Sequence, residues 1–237
     1  MAPAPLVFLP GLLEDADAFA AQIGKLGGIA TCTVADLTRS DTIAGLAADA
    51  LREAPSGRIA LAGHSMGGYV ALEAMRQAPE RIERLALLCT NARPDSAEST
   101  ANRRRLMALA ERDFPAVVEA LMPRLATEAH LADESITGTI TEMALGVGKE
   151  AFARQENAII GRIDSRPHLG KIRCPTLVVA ARDDLLMPLE VLKEMADAIP
   201  GARLEVIDDC GHMASLEQPA RLADLLAGWL MAGWLRS

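Results

Sequence analysis

The chain has 237 residues, half of them hydrophobic but only 3% aromatic, and a formal net charge of −8. That length buries a large aliphatic core in one domain, with room for an insertion. The acidic balance argues against nucleic acid or an anionic membrane surface as a partner, and no apolar stretch is long enough to span a bilayer.

The opening Met-Ala-Pro-Ala-Pro has no basic segment and runs straight into an apolar stretch, so no secretory leader is expected. Residues 6–9 (Leu-Val-Phe-Leu) read as a buried strand stopped by Pro10-Gly11. Residues 15–26 have helical spacing, and residues 31–35 form a weaker strand. Ser40-Asp41 is placed to cap a helix over 42–53, with Ile43, Leu46, Ala47, Ala50 and Leu51 on one face. Residues 59–62 are a third strand, followed by Gly63-His64-Ser65-Met66-Gly67 and a helical run through Val70, Leu72 and Met75. Residues 85–89 are a fourth strand. Strands alternating with helices imply βαβ units and a parallel sheet.

The alternation breaks after Cys89. Residues 91–166 hold helical stretches punctuated by Pro94, Pro115, Pro123, Gly138, Gly146 and Gly148, and read as a helical insertion. The basic run Arg103-Arg104-Arg105 within it reads as a solvated helix face. Residues 176–180 are the clearest later strand, 189–199 a helix, 203–207 the last strand, and Pro219 opens a final helix reaching about Trp229 or beyond. Cys32, Cys89, Cys174 and Cys210 form no C-x-x-C pair, which suggests a reduced, cytoplasmic protein. His64, His130, His168 and His212 lack metal-ligand spacing, so no metal is expected.

The chemistry centres on Ser65. A strand, a G-x-S-x-G turn and a helix, in that order, expose a serine hydroxyl at the tip of a sharp bend. The bland alternative is a helix-capping serine. A serine hydroxyl needs a base and an acid that orients that base. His212 lies just after the last strand, and a parallel sheet gathers such loops at one edge. Arg182-Asp183-Asp184 follows the strand at 176–180, so either carboxylate is a candidate acid.

Across nearly its whole length the chain resembles the α/β-hydrolase superfamily. The resemblance rests on Gly63-His-Ser-Met-Gly67, on Asp184 four residues before Pro188, and on Gly211-His212. It implies the triad Ser65, Asp184 and His212 in the family's chain order; a few relatives take the acid from the loop after the preceding strand, where Asp95 is the only candidate. It also implies an oxyanion hole from the Met66 N–H, at the helix start, and from the Leu12 N–H. Two departures stand out: Pro10-Gly11 replaces the usual His-Gly, and only five residues precede Leu6, so a trimmed sheet of six parallel strands is expected.

The resemblance thus implies an α/β-hydrolase core over residues 1–92 and 166–237 with a helical cap over 93–165. The expected activity is cleavage of a small carboxylic ester through an acyl-serine intermediate, without a cofactor, in a monomer or homodimer. The alternatives are a meta-cleavage-type C–C hydrolase or enol-lactonase, which basic or polar cap residues facing Ser65 would favour, and a ligand-binding or signalling protein of the same fold. Cap methionines, with Met107, Met122 and Met143 as first candidates, are expected to wall the substrate cavity.

Overall fold

A computed structural model describes residues 4–231. Residues 1–3 and 232–237, which hold the start of the leader reading and both ends of the expected core, lie outside the described residues. The elements run β1 (Ala4–Leu9), α1 (Ala20–Leu26), β2 (Ala30–Val34), α2 (Ile43–Glu53), β3 (Ile59–His64), α3 (Met66–Gln77) and β4 (Ile82–Leu88). A helical excursion follows: α4 (Ala97–Ala110), α5 (Phe114–Leu121), α6 (Glu128–Leu131) and α7 (Glu134–Ile160), then the short α8 (Arg166–Leu169). The chain returns through β5 (Thr176–Ala181), α9 (Leu189–Ala198), β6 (Arg203–Ile207), α10 (Ala214–Glu217) and α11 (Pro219–Met231).

The six strands form one parallel sheet in the order β2-β1-β3-β4-β5-β6. The central strands are apolar on both faces, as a parallel sheet covered by helices requires. Val7, Leu9, Ile59, Leu61, Leu85 and Leu87 join one core cluster with residues of α2, α3 and α9. Their alternating neighbours Leu6, Phe8, Ala60, Ala62, Ala86 and Leu88 join a second cluster with residues of α1 and α11. A third cluster, built on Leu106, Val117, Val118 and Phe152, fills the space among α4, α5 and α7 and reaches Leu13.

Three local expectations are corrected. The helix expected over 15–26 begins instead as a 3-10 turn, Ala16–Phe19, because Phe19 (φ −118°, ψ 10°) leaves helical geometry before α1. The cap of α2 is Thr42, whose hydroxyl accepts the Gly45 N–H at 3.1 Å, while the Ser40 hydroxyl is drawn to Asp49 at 2.7 Å. Cys89 is not strand: it turns at φ 44° to start the excursion. The long α7 is broken at Gly148 (φ 83°, ψ 168°), a conformation that favours glycine. Among the described residues, no helix is long and apolar enough to cross a membrane.

The strand register sets the site. Leu9 pairs with Gly63, Gly63 with Leu87, Leu88 with Val179, and Ala181 with Ile207. The carboxyl ends of these strands therefore lie along one edge, and so do the loops that follow them. The turn after β3 is the tightest point. A Cβ on Gly63 would overlap the Gly67 carbonyl, and one on Gly67 would overlap the Leu9 carbonyl. Gly228, inside α11, has open space around it. Gly67→Ala is therefore expected to cost about 3 kcal/mol or prevent folding, and Gly228→Ala to be neutral or stabilising by up to about 1 kcal/mol, both read by urea unfolding.

Candidate active site

Ser65 sits at φ 51°, ψ −115°, a strained backbone that only a constrained turn sustains. Its N–H donates to the Leu88 carbonyl at 3.0 Å, and its carbonyl accepts from the Thr90 hydroxyl at 2.7 Å. The next strand thus clamps the serine backbone from both ends. The hydroxyl does not cap α3. It lies 2.9 Å from His212 Nε2.

The His212 ring is 2.8 Å, through Nδ1, from Asp184 Oδ2. A carboxylate only accepts, so Nδ1 carries the proton and Nε2 is left to accept from Ser65. Asp184 Oδ1 in turn accepts the N–H groups of Leu186 at 2.7 Å and Met187 at 2.9 Å. Burial would push this carboxyl up, but His212 beside it and the two N–H donors outweigh burial and hold it below the usual carboxylate range. Of the two neighbouring acids, Asp184 meets the histidine. Asp183 instead ties the two loops together, donating its N–H to the Cys210 carbonyl at 2.9 Å and accepting the Cys210 N–H at 3.3 Å.

Asp95 lines the same cavity but is not the partner of His212. It accepts from Thr100 at 2.7 Å and pairs with Arg162 at 2.8 Å and Arg103 at 3.3 Å. Arg103 also reaches Glu156 at 2.7 Å, and its side chain is only 21% exposed. The expectation that the whole 103–105 run is solvated fails at Arg103, because the α4 turn points this one arginine inward at buried carboxylates. Burial pushes Glu156 up despite Arg103, and its Oε1 has no protein partner.

Ser65 and His212 open onto a cavity of about 600 Å³. Leu12 and Met66 line it too. Among the described residues neither the Leu12 nor the Met66 N–H has a protein acceptor, as donors reserved for a ligand oxygen would not. The cavity lining includes aliphatic residues, among them Leu106, Val118, Ile140 and Met143, and polar ones, among them Asn102, Arg103, Glu156 and Arg162. Of the three methionines expected at the wall, only Met143 is there. Met107 and Met122 pack instead into the apolar contacts among the cap helices.

Sequence reasoning gives Glu14 and Gln155 no role, and His64 no more than its place in the Gly63–Gly67 motif. Glu14 and His64 form a buried pair at 2.8 Å, and Gln155 of α7 accepts the Leu13 N–H at 3.0 Å. Glu14 left one signal, an acid following the apolar run Leu12-Leu13 where the chain turns. Among the described residues, no cluster of three or more His, Cys, Asp or Glu could hold a metal.

The fold places the chain among the hydrolases. The sequence profile described as "Alpha/beta hydrolase family" matches residues 6–225, and the chain belongs to that family. Its structure superposes on a thermophilic esterase from Thermogutta terrifontis with a TM-score of 0.88 at 31% identity, covering 97% of this chain and 90% of that one. It superposes equally, with a TM-score of 0.88 at 26% identity, on the enol-lactonase from Burkholderia xenovorans, covering 97% and 92%. It is also 29% identical over 177 residues to a protein of Pseudomonas savastanoi named as carbamate hydrolase RutD. That match covers 72% of this chain and 66% of the relative, slightly under two thirds of its length.

The lowered Asp184 has a consequence for stability. Its folded value lies below the unfolded one, so its contribution is present above the unfolded carboxylate pKa and is lost as pH falls through the folded value. Urea unfolding across pH 2 to 6 should show the wild type losing stability below about pH 4. Asp184→Asn should lose less over that interval.

Proposed function

We propose that this chain cleaves small carboxylic esters through an acyl-serine intermediate. The observation that carries the reading is the unbroken line from Ser65 Oγ to His212 Nε2 (2.9 Å) and from His212 Nδ1 to Asp184 Oδ2 (2.8 Å), opening onto one cavity.

Ser65 Oγ attacks the ester carbonyl carbon as His212 Nε2 takes its proton. Asp184 holds the Nδ1 proton and stabilises the imidazolium that forms. The carbonyl oxygen, now an oxyanion, accepts the N–H groups of Leu12 and Met66. The tetrahedral species collapses, the bond to the alcohol oxygen breaks, and His212 returns its proton to that oxygen. A water, deprotonated by His212, attacks the acyl carbon. The second collapse expels Ser65 with the proton from His212 and frees the carboxylic acid. No step calls for a cofactor. Four free cysteines fit a reducing, cytoplasmic setting.

The polar lining residues Asn102, Arg103, Glu156 and Arg162 favour a second reading, in which the acyl half carries a polar group, as in an enol-lactone or a C–C hydrolase substrate. Matched esters ending in a methyl or a carboxylate separate the two by their relative kcat/KM.

A fluorophosphonate is expected to label Ser65 and no other serine, and labelling that survives Ser65→Ala would sink the mechanism. Asp184→Asn should lower kcat by about 10⁴, through the wrong imidazole tautomer, while Asp183→Asn should be mild. For chain length, Met143→Phe should shift preference towards shorter acyl groups and Met143→Ala towards longer ones, each by about 10-fold in relative kcat/KM. Met107→Ala and Met122→Ala should lower melting temperature and leave the chain-length profile unchanged.

A further inference from the structure

His64 immediately precedes Ser65 and ends β3, with its side chain only 2% exposed. Both ring nitrogens face groups that only accept. Nδ1 lies 2.8 and 3.0 Å from the two Glu14 oxygens, and Nε2 lies 2.9 Å from the His212 carbonyl oxygen. A neutral imidazole has one N–H, so it would press a lone pair against one of these oxygens. Against an ionised Glu14 only the imidazolium satisfies both contacts; a neutral ring would need the shared proton on Glu14 instead.

The Glu14 carboxylate does more than balance this charge. It accepts the Gly11 N–H at 2.8 Å, closing the loop 11–14 on itself. On the other side of Leu12, the Leu13 N–H (at φ 61°) donates to Gln155 Oε1 at 3.0 Å. Leu12 is thus held between two pinned neighbours. Through its other nitrogen, the same His64 ring holds the main chain of His212. A buried ion pair contributes little net stability over an apolar pair of equal volume, so stability alone gives no reason for one here. A pair that fixes three loops at once has a different use.

We propose that His64, held as an imidazolium, and Glu14 are a positioning pair that sets the Leu12 N–H and the His212 ring against Ser65. The inference rests on the acyl-serine reading of the site. Neither residue touches the reacting atoms in this scheme; both act through Leu12 and His212. The direction of the His64 pKa agrees: burial opposes the charge, but Glu14 and the His212 carbonyl outweigh it and raise the value. The raised value also means that the pair stabilises the fold below the unfolded histidine pKa and that this contribution is lost as pH rises through the folded value. His212, whose ring centroid is 4.9 Å away, faces His64 on one side and Asp184 on another. Each of the two imidazoles therefore has its own carboxylate, and the charge that His212 gains during attack is not left against an unpaired cation.

The test has two arms. Nitrogen-15 NMR of the histidine rings in the wild-type protein should find His64 doubly protonated at pH 7.5, with no titration in the neutral range; a singly protonated His64 there would overturn the proposal. Glu14→Gln keeps the shape but removes the charge. It is expected to lower kcat on a nitrophenyl ester by about 10- to 100-fold with KM within about 2-fold, the signature of an interaction made in the transition state. The affinity of a boronic acid that forms a tetrahedral adduct with Ser65 should weaken by the same factor. A variant that loses thermal stability but keeps wild-type kcat and boronate affinity would make the pair merely structural. Should Glu14→Gln not fold, Glu14→Asp, with its shorter arm, gives the same comparison and is expected to lose several-fold in kcat while His64 stays charged. Ester hydrolysis that persists in Ser65→Ala would refute the acyl-serine reading, a failure separate from that of the pair.

Discussion

The site depends on one steric constraint: the turn from β3 into α3 is so tight that Gly63 and Gly67 lie in near contact with main-chain carbonyls. That closeness holds Ser65 at φ 51°, with its hydroxyl facing His212. The strain is sustained because β3 is paired on both sides, by β1 and β4, and because Leu88 and Thr90 grip the serine backbone. A serine in a relaxed turn would spend its hydroxyl on the helix N-terminus. Here the hydroxyl faces His212 instead, and the Met66 N–H at the helix start has no protein acceptor among the described residues.

The rest of the site is a problem of aligning loops. Parallel register brings the ends of β1, β3, β4, β5 and β6 to one edge, but loops at an edge are free to drift. Cross-links hold them. Asp183 ties the β5 loop to the β6 loop at Cys210, Glu14 and His64 tie the β1 loop to the nucleophile turn, and His64 reaches on to the His212 carbonyl. The cap adds its own ties through Gln155 to Leu13, through Leu125 to the Met213 N–H, and through Thr127, whose N–H donates to Glu217. The helical excursion is therefore bonded to the same loops that carry the chemistry.

Much of this was legible in the sequence, and for identifiable reasons. Runs such as Leu6–Leu9 and Leu85–Leu88 announce buried parallel strands, and strand order alone then sends His212 and Asp184 to the edge where Ser65 turns. Spacing alone leaves Asp183 and Asp184 open; the family resemblance implies Asp184, four residues before Pro188, and the geometry puts Asp184 against the ring. Long-range pairing was not legible. Glu14 and His64 lie fifty positions apart, and nothing local marks either as half of a buried pair. Arg103 reads as one of three like charges, because only the helix phase and a carboxylate on α7 separate it from its exposed neighbours. Met107 and Met122 share their residue type with Met143, and only helix packing decides which of them faces the cavity.

The central claim is that Ser65 carries the acyl group between two half-reactions. A slowly deacylating nitrophenyl ester, mixed with the protein and quenched in acid at successive times, tests it by mass spectrometry of the digested chain. The account requires a burst of one nitrophenolate per chain, and an acyl mass on the peptide containing Ser65 that rises with the burst and decays at the steady-state rate. Sustained turnover with no burst and no acylated Ser65 peptide would contradict it.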